Sequence, residues 1–411
     1  MSPTKATSLA IHNVSIDDLV PDPANPRHIT EAELEALTRS IREFGLVDPI
    51  IARKADHTVI GGHQRLQAAR RLGLKEVPVI YLNITKEKAR LLNVALNQIS
   101  GDFDQELLAR LLADLAETPE LDLTLTGFEA NEITKMLKSL EARDKRDRPE
   151  TLDLDEALRA AYENPRAKRG DVFQLSEHRV MCGDATSPED VQKLLGDARA
   201  HTCFTDPPYN VNLGDHGGKQ SRKSRRIKND SMSAEDWETF CRGWAQNLLG
   251  NVDGAIYVCM STKEWASVSH VLFEAGGHWS DTIIWEKDRF VLGRADYQRA
   301  YEPVWYGWRE GAKRHFAGGR DQSDIWRIER PSDSPLHPTM KPLALIERAL
   351  ENSSRPGDVV LDLFLGSGST LIASERTGRV CYGLELDPHY ASMVIARWEA
   401  FTGECAEKVR S

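Results

Sequence analysis

Paired cysteines are missing from this chain. Cys182, Cys203, Cys241, Cys259, Cys381 and Cys405 are scattered through 411 residues with no Cys-x-x-Cys spacing, so neither a zinc site nor a disulfide framework is indicated, and a reducing compartment fits. No apolar run approaches the roughly 20 residues that a bilayer span needs, and MSPTKATSLA has no charged head followed by an apolar stretch. The expectation is a cytoplasmic protein with no membrane partner. Basic charge is not in excess either: 53 Lys and Arg face 63 Asp and Glu, for a net charge of -10. That excludes indiscriminate coating of nucleic acid but not a local basic groove. There is no internal repeat and no low-complexity tract. What is present is 40% hydrophobic and 28% charged sequence, enough for two or three units to bury cores of their own.

The first hundred residues read as a small α+β domain. Leu34, Leu37, Ile41 and Phe44 recur at three and four, Thr30 with Glu33 three later makes an N-terminal cap, and Gly45 ends the helix. Strands follow at 47–52 and 58–60, Gly61-Gly62 turns into a helix over 63–72, another strand spans 77–82, and 86–99 and 104–116 are helical by spacing. Residues 101–140 are expected to form a helical extension. Between 141 and 168 the composition turns to EARDKRDRPE and ENPRAKRG, which reads as a charged, solvated linker. From 169 to 411 the pattern is α/β, with strands near 172–175, 179–181, 201–205, 254–259, 282–285, 304–306, 359–363 and 380–385.

Two strand ends in this half carry chemistry. Val359-Val-Leu-Asp-Leu363 runs into Phe364-Leu-Gly-Ser-Gly-Ser-Thr370, and glycines at a strand-to-helix turn let a ligand approach backbone N–H groups. Such a turn also serves packing alone, and it suits a nucleotide pyrophosphate as well as another adenosine cofactor. Glu385, about 20 residues later at the end of the next strand, can take both hydroxyls of a ribose, or with Asp387 merely cap a helix. The other end is Thr205-Asp-Pro-Pro-Tyr-Asn210. Two prolines make a rigid turn, Asp206 and the Pro207 carbonyl are acceptors, and Tyr209 is a flat stacking surface. Two acceptors beside an aromatic face suit the exocyclic amine of a planar base, whose delocalised lone pair they would localise for attack.

TDPPYN at 205–210 together with LDLFLGSGST at 361–370 resembles the β class of S-adenosylmethionine-dependent DNA amino-methyltransferases, over roughly 167–410. His337-Pro-Thr-Met-Lys-Pro342 is similar to the element that precedes the cofactor turn in that family. The resemblance implies a Rossmann-like, seven-stranded, mainly parallel methyltransferase sheet between helices. It implies that Asp206, Pro207, Pro208 and Tyr209 hold the target amine and base. It also implies that Asp362, Phe364, Gly366 and Gly368 line S-adenosylmethionine, that Glu385 binds its ribose, and that Asp184, Thr339 and Lys341 are further cofactor contacts. No metal is required. The Asp-Pro-Pro-Tyr form favours adenine N6 as the target atom, with cytosine N4 as the alternative. A non-catalytic DNA-binding adaptor and a nicotinamide oxidoreductase are the competing classes; neither uses the Asp-Pro-Pro-Tyr element.

Double-stranded DNA is the expected partner. Lys219, Arg222, Lys223, Arg225, Arg226 and Lys228 crowd ten residues after Tyr209, where they can neutralise phosphates without reading bases, or form a merely solvated face. Residues 286–336 carry Arg289, Arg294, Arg299, Arg309, Lys313, Arg314 and Arg320 among Tyr297, Tyr301, Trp305, Tyr306 and Trp308, and are the expected target-recognition region. Half or more of these aromatics are expected in the core, because 304–308 alternates like a strand.

Asn25-Pro-Arg27, Gly45-Leu-Val-Asp-Pro-Ile-Ile51 and Val59-Ile-Gly-Gly-His-Gln-Arg65 resemble the ParB/sulfiredoxin-like domain, over about residues 11–100. The resemblance implies a nucleotide phosphate site at Gly61, Gly62 and Arg65, an anion site at a helix N-terminus. His63 and Gln64 stand where many nucleotide-hydrolysing members have an acidic residue, which argues against hydrolysis. The alternative is a module for DNA contact or for a homodimer, with Arg65, Arg70 and Arg71 on a solvated face.

Overall fold

The computed structural model describes residues 9–26, 29–98, 104–118, 121–146, 148–210, 231–291, 296–319, 321–330 and 340–409. The chain divides into two units, Met1–Leu140 and Glu141–Ser411.

The first unit is built on a four-stranded sheet. In chain order its elements are β1 (Ile11–Ser15), α1 (Glu31–Phe44), β2 (Ile50–Arg53), β3 (Val59–Gly61), α2 (His63–Arg71), β4 (Glu76–Leu82), α3 (Lys86–Gln98), α4 (Gln105–Ala116) and α5 (Ala130–Arg146). The strand order is β1-β4-β2-β3. Thr30 and Glu33 close a full capping box on α1. The strand expected from residue 47 begins only at Ile50, because Pro49 has no N–H to offer a ladder. Ile50, Ala52, Val59, Leu66, Val77 and Val79 form the core between sheet and helix, and a second cluster, Leu91, Val94, Leu108, Leu111, Leu112 and Leu115, holds α3 and α4.

The second unit comprises α6 (Leu154–Glu163), β5 (Val172–Leu175), β6 (His178–Cys182), α7 (Pro188–Leu195), β7 (Thr202–Thr205), α8 (Ala234–Asn251), β8 (Ile256–Cys259), α9 (Trp265–Glu274), β9 (Gly277–Val291), β10 (Arg299–Arg309), β11 (Ile325–Arg327), α10 (Leu343–Ser353), β12 (Val359–Asp362), α11 (Ser369–Thr377), β13 (Val380–Glu385), α12 (Pro388–Thr402) and β14 (Glu407–Lys408). Its sheet has ten strands among the described residues, in the order β11-β9-β10-β8-β7-β12-β13-β6-β5-β14. The run β8-β7-β12-β13-β6 is parallel. With the antiparallel β10 and β9 it makes the seven-stranded sheet expected, to which β11, β5 and β14 add at the edges.

Central strands buried on both faces read as continuous apolar runs, and every residue of β7 and β8 is buried. Helices α7, α8 and α9 pack on one face around Trp244 and Leu248. Residues of α10, α11, α12 and α6 cover the other. The chain runs outward from β7 to β8 on one side and from β12 to β13 on the other. The order therefore reverses between β7 and β12, and open α/β sheets bind ligands outside the carboxyl ends of strands at such a switch point.

Residues 141–168 are not a solvated linker. α5 continues to Arg146, Asp153 caps α6, and α6 lays Leu158 and Ala161 into the core beside Trp398 of α12. Glu150 makes a two-bond pair with Arg397 (2.6 and 2.8 Å), and Ser392 accepts the Ala167 N–H. The charge count concealed an apolar stripe: Leu154, Leu158 and Ala161 recur at the spacing of one helix face. Lys145, in the last turn of α5, reaches the buried Glu375 at 2.5 Å, which also accepts from Trp398 Nε1 and pairs with His178. Leu158 is fully buried, so Leu158→Ala should cost about 2–5 kcal/mol in the second unit's unfolding. A solvated linker would lose nothing, and denaturant melts followed by tryptophan fluorescence distinguish the two.

Candidate active site

The switch point brings the two motifs side by side. β7 ends at Thr205 and delivers Asp206-Pro-Pro-Tyr209; β12, its parallel neighbour, ends at Asp362 and delivers the 364–368 turn. Thr205 Oγ1 donates to Asp362 Oδ1 (2.8 Å), and the Phe364 N–H donates to the same oxygen (3.0 Å). Burial pushes the Asp362 carboxyl up to about 6. Asp362 therefore ties the two strand ends together rather than facing outward.

On the β12 side, Gly366 and Gly368 lie in the left-handed region (φ 53° and 86°) that favours glycine. They do so for different reasons. A Cβ at Gly366 would meet nothing nearer than the Phe364 carbonyl at 3.8 Å, leaving open space beside the backbone, whereas a Cβ at Gly368 would press on Val394 of α12 at 3.0 Å. Gly366 has room beside its backbone; Gly368 permits α11 to pack. β13, next in the sheet, ends at Glu385, whose two oxygens accept the Gly366 and Asp387 N–H groups (both 2.8 Å). Burial raises the Glu385 carboxyl to about 7. Phe364 packs between Phe240 and Trp244 of α8. Asp184, just past β6, accepts the Thr186 N–H and hydroxyl (2.9 and 2.7 Å).

On the β7 side, Tyr209 donates its hydroxyl to Asp206 Oδ1 (2.7 Å) and lies 3.2 Å from Glu302 Oε2. Lys341 was expected among the cofactor contacts. Its ammonium instead reaches Asp206 Oδ2 (2.6 Å), Tyr209 Oη (3.1 Å) and Glu302 Oε2 (3.2 Å), and Lys287 holds the other Glu302 oxygen at 2.6 Å. Burial pushes the Asp206 carboxyl up against the pull of Lys341. Burial alone would raise Glu302, but Lys341 and Lys287 outweigh it and bring it down to about 2. Burial alone would lower Lys341, but Asp206 and Glu302 hold it above the usual lysine value. Glu302 and Lys287 escaped the sequence reading because both sit inside long β-rich runs with no motif around them. Asn210, in the left-handed region, receives the Met232 N–H on Oδ1 (2.7 Å), so the residues bounding 211–230 are held together.

Thr339 and the basic set Lys219, Arg222, Lys223, Arg225, Arg226 and Lys228 lie outside the described residues, as do Arg294 and Arg320. In the recognition region Trp305 and Tyr306 are core, while Tyr297 and Tyr301 are exposed. In the first unit Gly62 (φ 95°) opens α2, and Arg65 folds back over it to form an ion pair with Asp48. His63 Nε2 accepts the Asp22 N–H (3.3 Å), and burial draws its pKa down to about 4. Arg71 pairs with Glu31, and Arg70 donates to the Leu19 carbonyl.

The Asp-Pro-Pro-Tyr turn and the glycine turn thus stand on neighbouring strand ends, and comparison with known proteins bears on what they belong to. The DNA methylase family matches residues 200–396, the ParB N-terminal domain family residues 2–98, and the ParB-methyltransferase HTH domain family residues 106–169. The chain is a DNA methyltransferase, with the DNA methylase match in its second half and the ParB-type matches before it. The Type II methyltransferase M2.DpnII of Streptococcus pneumoniae is 27% identical over 221 residues, 48% of this chain and 81% of that protein. M2.LlaDCHI of Lactococcus lactis subsp. cremoris is 26% identical over 215 residues, 47% of this chain and 80% of that protein. The solved M1.HpyAVI–SAM complex matches with a TM-score of 0.42 at 22% identity, covering 53% of this chain and 97% of that one. The helix-turn-helix match at 106–169 runs across residues read from the sequence as a helical extension and a charged linker.

S-adenosylmethionine is the methyl donor of such an enzyme, and the residues present fit it: open space at Gly366, uncapped N–H groups at the start of α11, and a carboxylate on the next strand. If ribose hydroxyls donate to the ionised form of Glu385, whose carboxyl burial raises to about 7, cofactor affinity should be full above pH 7 and decline below it. Glu385→Gln should flatten that dependence; calorimetric titration between pH 5.5 and 8.5 checks both.

Proposed function

We propose that this enzyme methylates the exocyclic N6 of adenine in double-stranded DNA, with the target base rotated out of the helix. The observation that carries the reading is the position of Asp206 and Tyr209 at the end of β7, directly beside the Gly366 turn and Glu385 at the ends of β12 and β13. A paired adenine hides its amino group, so extrusion costs a few kcal/mol. Stacking on Tyr209 returns about 1–3 kcal/mol of that. Asp206 and the Pro207 carbonyl accept the two amine hydrogens and localise the nitrogen lone pair. Glu385 and the Gly366 backbone would hold the adenosine of S-adenosylmethionine, with Phe364, Asp184 and Thr339 as further contacts. That cofactor supplies a methyl group on a sulfonium. The localised amine lone pair would take that methyl group, displacing the sulfur as a neutral thioether, and Asp206 is placed to receive the departing amine proton.

The Asp-Pro-Pro-Tyr form of the turn supports adenine N6; cytosine N4 offers nearly the same pair of donors. Nucleoside mass spectrometry of DNA from cells expressing the chain should show N6-methyldeoxyadenosine, and N4-methyldeoxycytidine in its place would overturn the choice of atom. Asp206→Ala should lower methyl transfer at least about 100-fold with cofactor affinity retained; full activity in that variant would remove the catalytic assignment.

In the first unit a nucleotide phosphate at Gly61 and Gly62 would compete with Asp48 for Arg65. Asp48→Ala should therefore tighten nucleoside triphosphate binding up to about fivefold, since a surface ion pair is worth at most about 1 kcal/mol. Unchanged binding by calorimetry would exclude Arg65 from such a site.

A further inference from the structure

Lys341 is 6% exposed and has three N–H donors, and three oxygens surround it: Asp206 Oδ2, Tyr209 Oη and Glu302 Oε2. All three belong to the base-binding side. Glu302 is in turn held by the equally buried Lys287 of β9. Two cations and two anions lodged this deeply are expensive to desolvate, and well-packed apolar side chains of the same volume are often as stable or more so. Such a cluster at the mouth of a reaction site is a candidate for function rather than for stability.

The geometry points to Lys341 as a positioning residue for methyl transfer, clamped by Glu302 and Lys287 so that Asp206 keeps one oxygen engaged and presents the other to the target amine. The inference rests on the proposed function, since it assumes that Asp206 receives an amine. In the resting enzyme Oδ1 accepts the Tyr209 hydroxyl, a hydrogen that the amine would replace when the base stacks on the ring. Oδ2 stays on Lys341 throughout that exchange. Asp206 therefore does not have to be reoriented as the base enters.

The charged and titratable groups that bear on Asp206 are Tyr209 in its own turn, Lys341 ahead of α10, Glu302 on β10, Cys259 at the end of β8 and Asp362 at the end of β12. Lys287 acts on it through Glu302. Lys341 favours the ionised carboxylate and Glu302 opposes it, so removing each has the opposite effect.

The experiment is single-turnover methyl transfer by the full chain to duplex DNA across pH 5 to 9, with cofactor affinity measured by calorimetry. Lys341→Met should move the acid limb of the rate profile up by about one to three pH units and lower the rate at pH 7 at least about tenfold, with Lys341→Arg restoring much of it. Glu302→Gln should move the limb down. Cofactor affinity should stay within about twofold in all three variants. Acid limbs that do not move, or loss of cofactor affinity in Lys341→Met, would overturn the inference, the latter by returning Lys341 to the cofactor contacts. If Lys341→Met fails to fold, the downward shift in Glu302→Gln decides alone. A wild-type chain that methylates no DNA would count against the proposed function and not against the clamp.

Discussion

The Thr205 hydroxyl donates to Asp362 across two neighbouring parallel strands, and the site depends on that contact. It fixes the end of β7 against the end of β12 at the place where the strand order reverses. The residues proposed for the reaction are attached within a few residues of those two ends: Asp206 to Tyr209 on one, Phe364 to Gly368 on the other, and Glu385 one strand further along. A slip of either strand would separate the amine acceptors from the cofactor cradle, and in-line transfer tolerates errors of only about 1 Å. The buried carboxyl at 362 is thus a joint between the two strand ends.

Charge around Asp206 is balanced locally, not by solvent. Two lysines and two carboxylates share a buried volume, with the tyrosine hydroxyl between them. Strand β10 supplies Glu302 and β9 supplies Lys287, both from the region assigned to target recognition. The residues that present the carboxylate are therefore built into the same hairpin that carries the exposed Tyr301 and the Arg299 beside it. In the first unit the same balance takes a simpler form, where Asp48 neutralises the arginine expected to meet a phosphate.

The most instructive departure is the stretch from 141 to 168. Its prolines and alternating charges read as solvent-facing, yet Glu150, Lys145 and Arg146 pair with Arg397, Glu375 and Glu351, and α6 buries a leucine completely. Charge density by itself does not distinguish a free linker from a strap whose partners lie more than 200 residues away. The apolar spacing within α6 did carry that information. A helix of only three turns between prolines gives a weak signal, and most of its stability comes from packing on α12.

From the sequence alone came the α/β class, the two motifs, and the roles proposed for Asp206, Tyr209, Gly366 and Glu385, because rigid turns and glycine turns are local and their chemistry is written in consecutive residues. The capped helix at 31–44 was legible for the same reason. Tertiary structure decided which strand ends are neighbours, that Gly368 serves packing while Gly366 borders space, and that Lys341 reaches Asp206, Tyr209 and Glu302. It also supplied Glu302 and Lys287, which no pattern marks. Those facts depend on strand order and on burial, and both are set by contacts between residues far apart in the chain, where neither periodicity nor composition leaves a trace.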